Sequence, residues 1–330
     1  MSKRLVWADA TKGWLILLVI MGHCIAATIG NDAANVDYWW CLIYSFHMPA
    51  FIAISGYLNY RGENYNPIKV GKVVNRRFQQ LMVPFLVWSV IKYATEGALL
   101  NCYNCILYPT NTFWFLWALF FIVIFFSLFD WVSQKTKFKQ EVIMGVVCLG
   151  CAVIMAVLKD VRIFGIQYVL YYFIFYCLGY YINKYRLLTY KKWVIAILLL
   201  AWFVMGSFWR PRELPEFIHL TGGMFTMFRF VYKFAVAFVA VFAMFSFAPL
   251  ALSKKCNWND IICRLGAVSL GIYTFHLTFV NVCVNHLKHI ITNDIALVLV
   301  SFVILSIVSY IVVSLLSKWK WSARVLLGKF

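Results

Sequence analysis

Arg4-Leu-Val-Trp-Ala-Asp9-Ala-Thr-Lys12-Gly13 runs directly into the apolar stretch Trp14-Leu-Ile-Leu-Leu-Val-Ile-Met-Gly22-His23-Cys-Ile-Ala-Ala-Thr-Ile29. A stretch of this length and composition reads as a helix that crosses a bilayer. Eleven positions separate Lys12 from His23, about three helical turns, so the two share a face roughly 16 Å apart along the axis. A fixed positive charge then lies at one boundary and a titratable imidazole near mid-membrane. Ionisable groups at that depth are costly and are usually functional.

The rest of the chain follows the same pattern. It is 64% hydrophobic and 13% charged, with a mean hydropathy of +0.81, far from an ordinary soluble domain. Ten apolar segments, near 13–30, 38–58, 81–100, 112–132, 141–158, 164–183, 192–208, 224–247, 265–285 and 294–316, have the length of membrane spans. The expectation is an all-α polytopic membrane protein of about ten transmembrane helices. Residues 1–330 are expected to form a single domain with no soluble C-terminal domain, and they show no low-complexity segment and no clear internal repeat.

The formal net charge of +18 raises nucleic acid as a partner, but its distribution argues otherwise. With the N-terminus cytoplasmic, 22 of the 30 Lys and Arg fall on cytoplasmic segments. Five (Lys159, Arg162, Arg210, Arg212 and Lys288) fall outside, and Lys92, Arg229 and Lys233 lie within spans. This is the positive-inside asymmetry. It predicts both termini in the cytoplasm, with the basic balance serving topology and anionic lipid rather than nucleic acid. Lys3 and Arg4 ahead of an apolar core also suggest a cleaved leader. The run is longer than a typical leader core and carries His23, so it is expected to remain as the first span. Most of the ten cysteines lie inside spans, where they act as small hydrophobes. Cys102 and Cys105 fall in an outer loop and are expected as free thiols.

Three histidines fall at one depth on different helices. His23, His47 and His276 lie ten, nine and eleven residues from the ends of their segments, roughly 14–17 Å from a boundary and close to the centre of a core about 30 Å thick. Each alone could hydrogen-bond a neighbouring helix; together they suggest a polar cavity. A metal site would want a further ligand and supporting carboxylates, which the spans scarcely supply, so no metal is expected. Lys92 with Glu96, and Arg229 with Lys233, share a face at i,i+4. The first pair neutralises itself. The second needs an anion, carbonyls or water, with Arg229 near enough to an end to snorkel and Lys233 deeper.

In combination these residues resemble the acyltransferase-3 superfamily of integral membrane acyltransferases, particularly its fucose 4-O-acetylase-like branch. Arg4, Asp9, Lys12-Gly13 and Gly22-His23 are similar to its first-span pattern. Ser45-Phe-His47-Met-Pro49-Ala-Phe51 followed by Ser55-Gly56-Tyr57 is similar to its second-span block, and Trp114-Phe115-Leu116 to its fourth-span element. Gly266-Ala-Val-Ser269-Leu-Gly-Ile-Tyr273-Thr-Phe-His276 is similar to its late Tyr-x-x-His element. One departure stands in the first cytoplasmic loop. Arg76-Arg77-Phe-Gln-Gln80-Leu-Met-Val-Pro84 has Gln80 where the family often has a second arginine. Several members also carry a C-terminal hydrolase-like domain, which is not expected here.

The resemblance implies an O-acyltransferase of a bacterial cytoplasmic (inner) membrane. It would take an acyl group, most often acetyl, from cytoplasmic acetyl-CoA or another acyl-CoA. The acceptor would be a carbohydrate hydroxyl, on a surface polysaccharide or its lipid-linked precursor. In that reading Lys12, Lys72, Arg76 and Arg77, with Arg61 and Lys69, form a basic mouth for the phosphates of CoA. His23 is the general base, with Lys12 and Asp9 on its face; Asp9 pairs with Lys12 at i+3. His47, Ser55, Trp114, Lys233, Tyr273 and His276 line the acceptor side. The chain can work alone or as a homo-oligomer. The competing expectation is a proton-coupled transporter or glycan flippase with the histidines as a relay, for which inverted repeats are missing from the sequence. A structural partner of a glycan-assembly complex would leave the polar face of the first span without a purpose.

Overall fold

The computed structural model describes residues 5–60, 62, 66–158, 161–215, 218–253 and 257–329. Lys3, Arg4, Arg61, Lys159 and Phe330 lie outside them. Among the described residues the chain is helical throughout and forms no strand. The main helices are α1 (Val6–Ile29), α2 (Tyr38–Tyr44), α3 (His47–Asn59), α4 (Pro67–Arg77), α5 (Val83–Thr95), α6 (Trp114–Ser133) and α7 (Gln140–Leu158). They continue with α8 (Ile166–Tyr185), α9 (Lys192–Ser207), α10 (Gly222–Ala251), α11 (Asn257–Ala267), α12 (Ser269–Lys288), α13 (Asp294–Leu316) and α14 (Lys320–Val325).

Among the described residues, seven segments are long and apolar enough to cross a membrane: Val6–Ile29, Tyr38–Asn59, Trp114–Ser133, Gln140–Val157, Ile163–Tyr185, Gly222–Ala251 and Asp294–Leu316. The pair α11 and α12, bent by 72° at Val268, makes an eighth if it is one span. The protein is therefore an all-α polytopic membrane protein. Two further expected segments are helical but shorter. Lys192–Ser207 has 16 residues. The segment expected at 81–100 is the 13-residue α5 preceded by a π-helical turn, Phe78–Met82. Pro84 explains that turn. It has no N–H to offer the Gln80 carbonyl four residues back, and the Val83 N–H bonds five residues back to Phe78 instead.

The ninth segment, expected at 265–285, begins at Ser269 instead. Gly266 and Ala267 close a separate 11-residue helix, α11, with exposed Trp258 and Ile261 on one side and buried Asn259, Leu265 and Gly266 on another. That pattern suits an amphipathic segment better than the start of a span.

Two compact units form. The first comprises Met1–Phe51 with Leu187–Val312, the second Ile52–Arg186 with Val313–Phe330. In the first, α1 and α11 cross with their backbones in contact. A Cβ added to Gly13 would lie 2.1 Å from the Ile262 carbonyl oxygen, and one added to Gly266 would lie 1.8 Å from that of Asp9. In the second, α3 and α8 cross in the same way, with Gly56 on the Tyr176 carbonyl and Gly179 on that of Ala53. Helices in lipid associate through small residues that let backbones approach, and Asn183 adds a 2.7 Å hydrogen bond to the Tyr57 carbonyl. Local caps support these elements: Asn66 accepts from the Lys69 N–H ahead of Pro67, and Asp37 accepts from the Trp40 N–H at the start of α2.

Replacement of Gly266 or Gly179 by Ala is expected to lower thermal stability by about 1–3 kcal/mol, because a methyl must push two backbones apart. Gly145→Ala, on a face of α7 with nothing within 4 Å, should stabilise by about 0.5–1 kcal/mol. Melting of the detergent-solubilised variants, followed by size-exclusion chromatography, separates the two outcomes.

Candidate active site

The histidines gather in the first unit. His23 and His276 rings lie 5.4 Å apart, centroid to centroid, and Tyr273 lies 5.9 Å from His276. Tyr44 joins His47 to the group, at 4.7 Å from His47 and 6.4 Å from His23. The approach of Tyr44 to α1 depends on Gly22, where a Cβ would sit 2.6 Å from the Tyr44 ring. Glycine and histidine are thus adjacent on α1 because the neighbouring ring needs the space.

Hydrogen bonding orients two of the imidazoles. Nδ1 of His47 lies 2.8 Å from the Ile43 carbonyl, and Nδ1 of His276 lies 2.7 Å from that of Ile272. A carbonyl only accepts, so Nδ1 carries the hydrogen in both rings, and in a neutral ring Nε2 then holds the lone pair. His276 is fully buried, and its Nε2 has no partner among the described residues. His47 is also buried, whereas His23 is half-buried. His23 is therefore the member of the group most open to a reactant, with the buried rings behind it.

Lys12 and Asp9 form a 2.7 Å ion pair at the Gly13–Gly266 crossing, where Gly266 packs on the Asp9 carbonyl. Both polar groups of the first-span motif are thus engaged with each other at the foot of α1, as the i+3 spacing anticipates. Lys233 is half-buried on α10. Arg229, one turn away, donates to the Arg212 carbonyl at 3.0 Å and lies over the Phe225 ring.

The other expected site residues belong to the second unit. Lys72 and Arg76 are exposed on the amphipathic α4. Arg77 is half-buried and donates to the Gln80 side chain at 3.2 Å. Gln80, the departure from the family pattern, thus holds an arginine where a second arginine would repel it. Ser55 is half-buried on α3. Trp114, first residue of α6, stacks on Tyr168 at 4.4 Å and on Tyr172 at 5.1 Å, so its ring is engaged by protein. Lys92 pairs with Glu96 at 2.9 Å. Cys102 and Cys105 are free thiols, and burial pushes the Cys105 thiol up, which makes it a poor nucleophile. No group of three or more His, Cys, Asp or Glu among the described residues is arranged to hold a metal ion.

The sequence matches the acyltransferase domain family (Acyl_transf_3) over residues 5–318. The chain belongs to that family. The protein is accordingly a membrane acyltransferase. Two relatives are each called nodulation protein NolL. That of Mesorhizobium japonicum is 27% identical over 304 residues, 86% of this chain and 77% of the relative. That of Sinorhizobium fredii is 29% identical over 192 residues, 54% of this chain and 49% of the relative. No solved structure matches significantly.

For an acyltransferase the sequence reading missed Tyr44, the ring that joins His23 to His47. Trp40, Tyr44 and His47 stand at i, i+4 and i+7, a helical stripe that was open to view. In uniformly 15N-histidine-labelled protein, the resonances lost in His47→Gln and His276→Gln are expected to be those of rings protonated at Nδ1 and bare at Nε2. The opposite tautomer at position 276 would remove the base-ready nitrogen from the site.

Proposed function

We propose that this acyltransferase moves an acyl group, most simply acetyl, from cytoplasmic acyl-CoA to a carbohydrate hydroxyl at the histidine group of the first unit. The observation that carries this reading is the half-buried His23 backed by a buried imidazole 5.4 Å away in a chain of acyltransferase family. His23 takes the proton from the acceptor hydroxyl as its oxygen bonds to the thioester carbon. The carbon–sulfur bond breaks, and the proton passes to the departing CoA thiolate, so ester and free thiol leave a neutral imidazole behind. His276, with its bare Nε2, orients His23 or shares its proton. The pair Lys12–Asp9 holds the foot of α1 rather than touching the reacting atoms.

Within the second unit, Lys72 and Arg76 carry exposed charge on α4, which suits the phosphates of CoA, and Arg77 is steadied by Gln80. A hydroxyl acceptor suits a base and no metal. The carbohydrate class, as a polysaccharide or a lipid-linked glycan, rests on the resemblance to sugar O-acetylases. The relatives are named for nodulation, which names a process and no substrate. The bacterial cytoplasmic membrane is the compartment in which acyl-CoA and such acceptors meet.

Purified protein in lipid nanodiscs, supplied with acetyl-CoA and methyl glycosides of neutral hexoses and 6-deoxyhexoses, should give acetylated glycoside by mass spectrometry. His23→Gln keeps ring-like size and polarity but accepts no proton, and should lose a factor of about 10²–10⁴ in kcat at unchanged folded yield. A well-folded His23→Gln protein with near-normal rate would end the general-base assignment.

A further inference from the structure

In the first unit, Trp40, Tyr44, Trp202, Trp209 and Tyr232 pack together around Cys41 and Val236. An indole N–H is a donor and nothing else. The Nε1 atoms of Trp40, Trp202 and Trp209 are all buried, and none has an acceptor among the described residues. Nine in ten or more of buried polar groups find a partner, and each unmet one costs about 1–3 kcal/mol. Three in one small cluster therefore form a pattern. Other polar groups there are served. The Tyr232 hydroxyl donates to the Met205 carbonyl at 2.6 Å. Arg210 donates to the carbonyls of Ser207 and Trp209 at 3.2 and 2.8 Å. The cluster leaves its indole donors, specifically, for something else.

We infer that this aromatic cluster is the acceptor subsite, and that it binds a neutral carbohydrate whose hydroxyl and ring oxygens accept from the indole N–H groups of Trp40, Trp202 and Trp209. This rests on the proposed transfer to a sugar hydroxyl. Three features select that class. The charges beside the cluster do not favour an anion: Arg210 is turned to the carbonyls of Ser207 and Trp209, and the Asp37 carboxylate lies near Cys41 as well. A hydrocarbon chain brings no lone pair and would leave all three donors unmet. A sugar brings both oxygens for the donors and C–H faces for the rings. The cluster also adjoins the chemistry. Trp40 stacks on Tyr44 at 3.7 Å and 17°, and Tyr44 is the ring that contacts both His47 and His23.

The test is the Trp202→Phe/Trp209→Phe pair, which removes two donors and keeps two rings. Acetyl transfer to a methyl glycoside that the wild type uses is followed in nanodiscs, alongside melting temperature. The glycoside KM should rise about fivefold to a hundredfold, the effect of two lost hydrogen bonds, while the KM for acetyl-CoA holds. Among deoxy analogues of the glycoside, at least one should lose affinity for the wild type by a similar factor and be bound by the variant no worse than its parent. If the pair does not fold, Trp209→Phe alone is scored in the same way for one bond. An unchanged glycoside KM in a folded variant, with the wild type active, overturns the subsite and leaves the sugar acyltransfer standing. A wild type that acylates no glycoside overturns the carbohydrate reading and the subsite together.

Discussion

The arrangement of the candidate site depends on one close approach of backbones. Gly13 on α1 and Gly266 on α11 have no side chains, and the helices cross with carbonyl oxygens where Cβ atoms would stand. That contact holds α11 against the foot of α1. The chain then turns by 72° at Val268, and α12 runs on along α1, which brings His276 to the ring of His23. Without hydrophobic drive between helices in lipid, such contact comes from small residues and polar bonds. The ion pair of Asp9 and Lys12 lies at the same crossing, so the motif residues of the first span serve first to dock a helix.

Histidine is an uncommon choice for a buried position, and the local hydrogen bonds explain how two are tolerated. Each donates Nδ1–H to the carbonyl four residues earlier on its own chain, which meets one nitrogen without a second helix and leaves the other for a reactant or neighbour. At His47 the geometry is helped by the interruption at Ser45 and Phe46 between α2 and α3, where the regular ladder lapses. Tyr44 then fills the gap between His47 and His23, in space that Gly22 provides. The second unit uses the same device of facing glycines, Gly56 and Gly179, to pack α3 against α8.

Much of this was legible in the sequence. The long apolar runs led to a polytopic helical protein, and the shared depth of His23, His47 and His276 anticipated their grouping. The i+3 and i+4 spacings of Asp9–Lys12 and Lys92–Glu96 anticipated ion pairs that form. Other features depended on tertiary context. Hydrophobicity alone joined Leu265–Ala267 to the ninth span, because the bend at Val268 is imposed by packing on α1 and no proline marks it. The π turn before α5 was signalled by Pro84, which hydropathy does not weigh. Tyr44 and Trp40 were hidden by abundance, since in a chain with 19% aromatics a ring beside a histidine does not stand out.

The central claim is that His23 and His276 act as one unit on the acceptor proton, held together by the crossing of α1 and α11. A double-mutant cycle on kcat/KM for acetyl transfer, with His23→Gln, His276→Gln and the double variant at equal folded yield, tests it most directly. Groups that act together are strongly non-additive. The double variant is expected to be little slower than His23→Gln alone. Strictly additive losses, with the double variant slower by the product of the two single factors, would show that the rings work independently and would contradict the account.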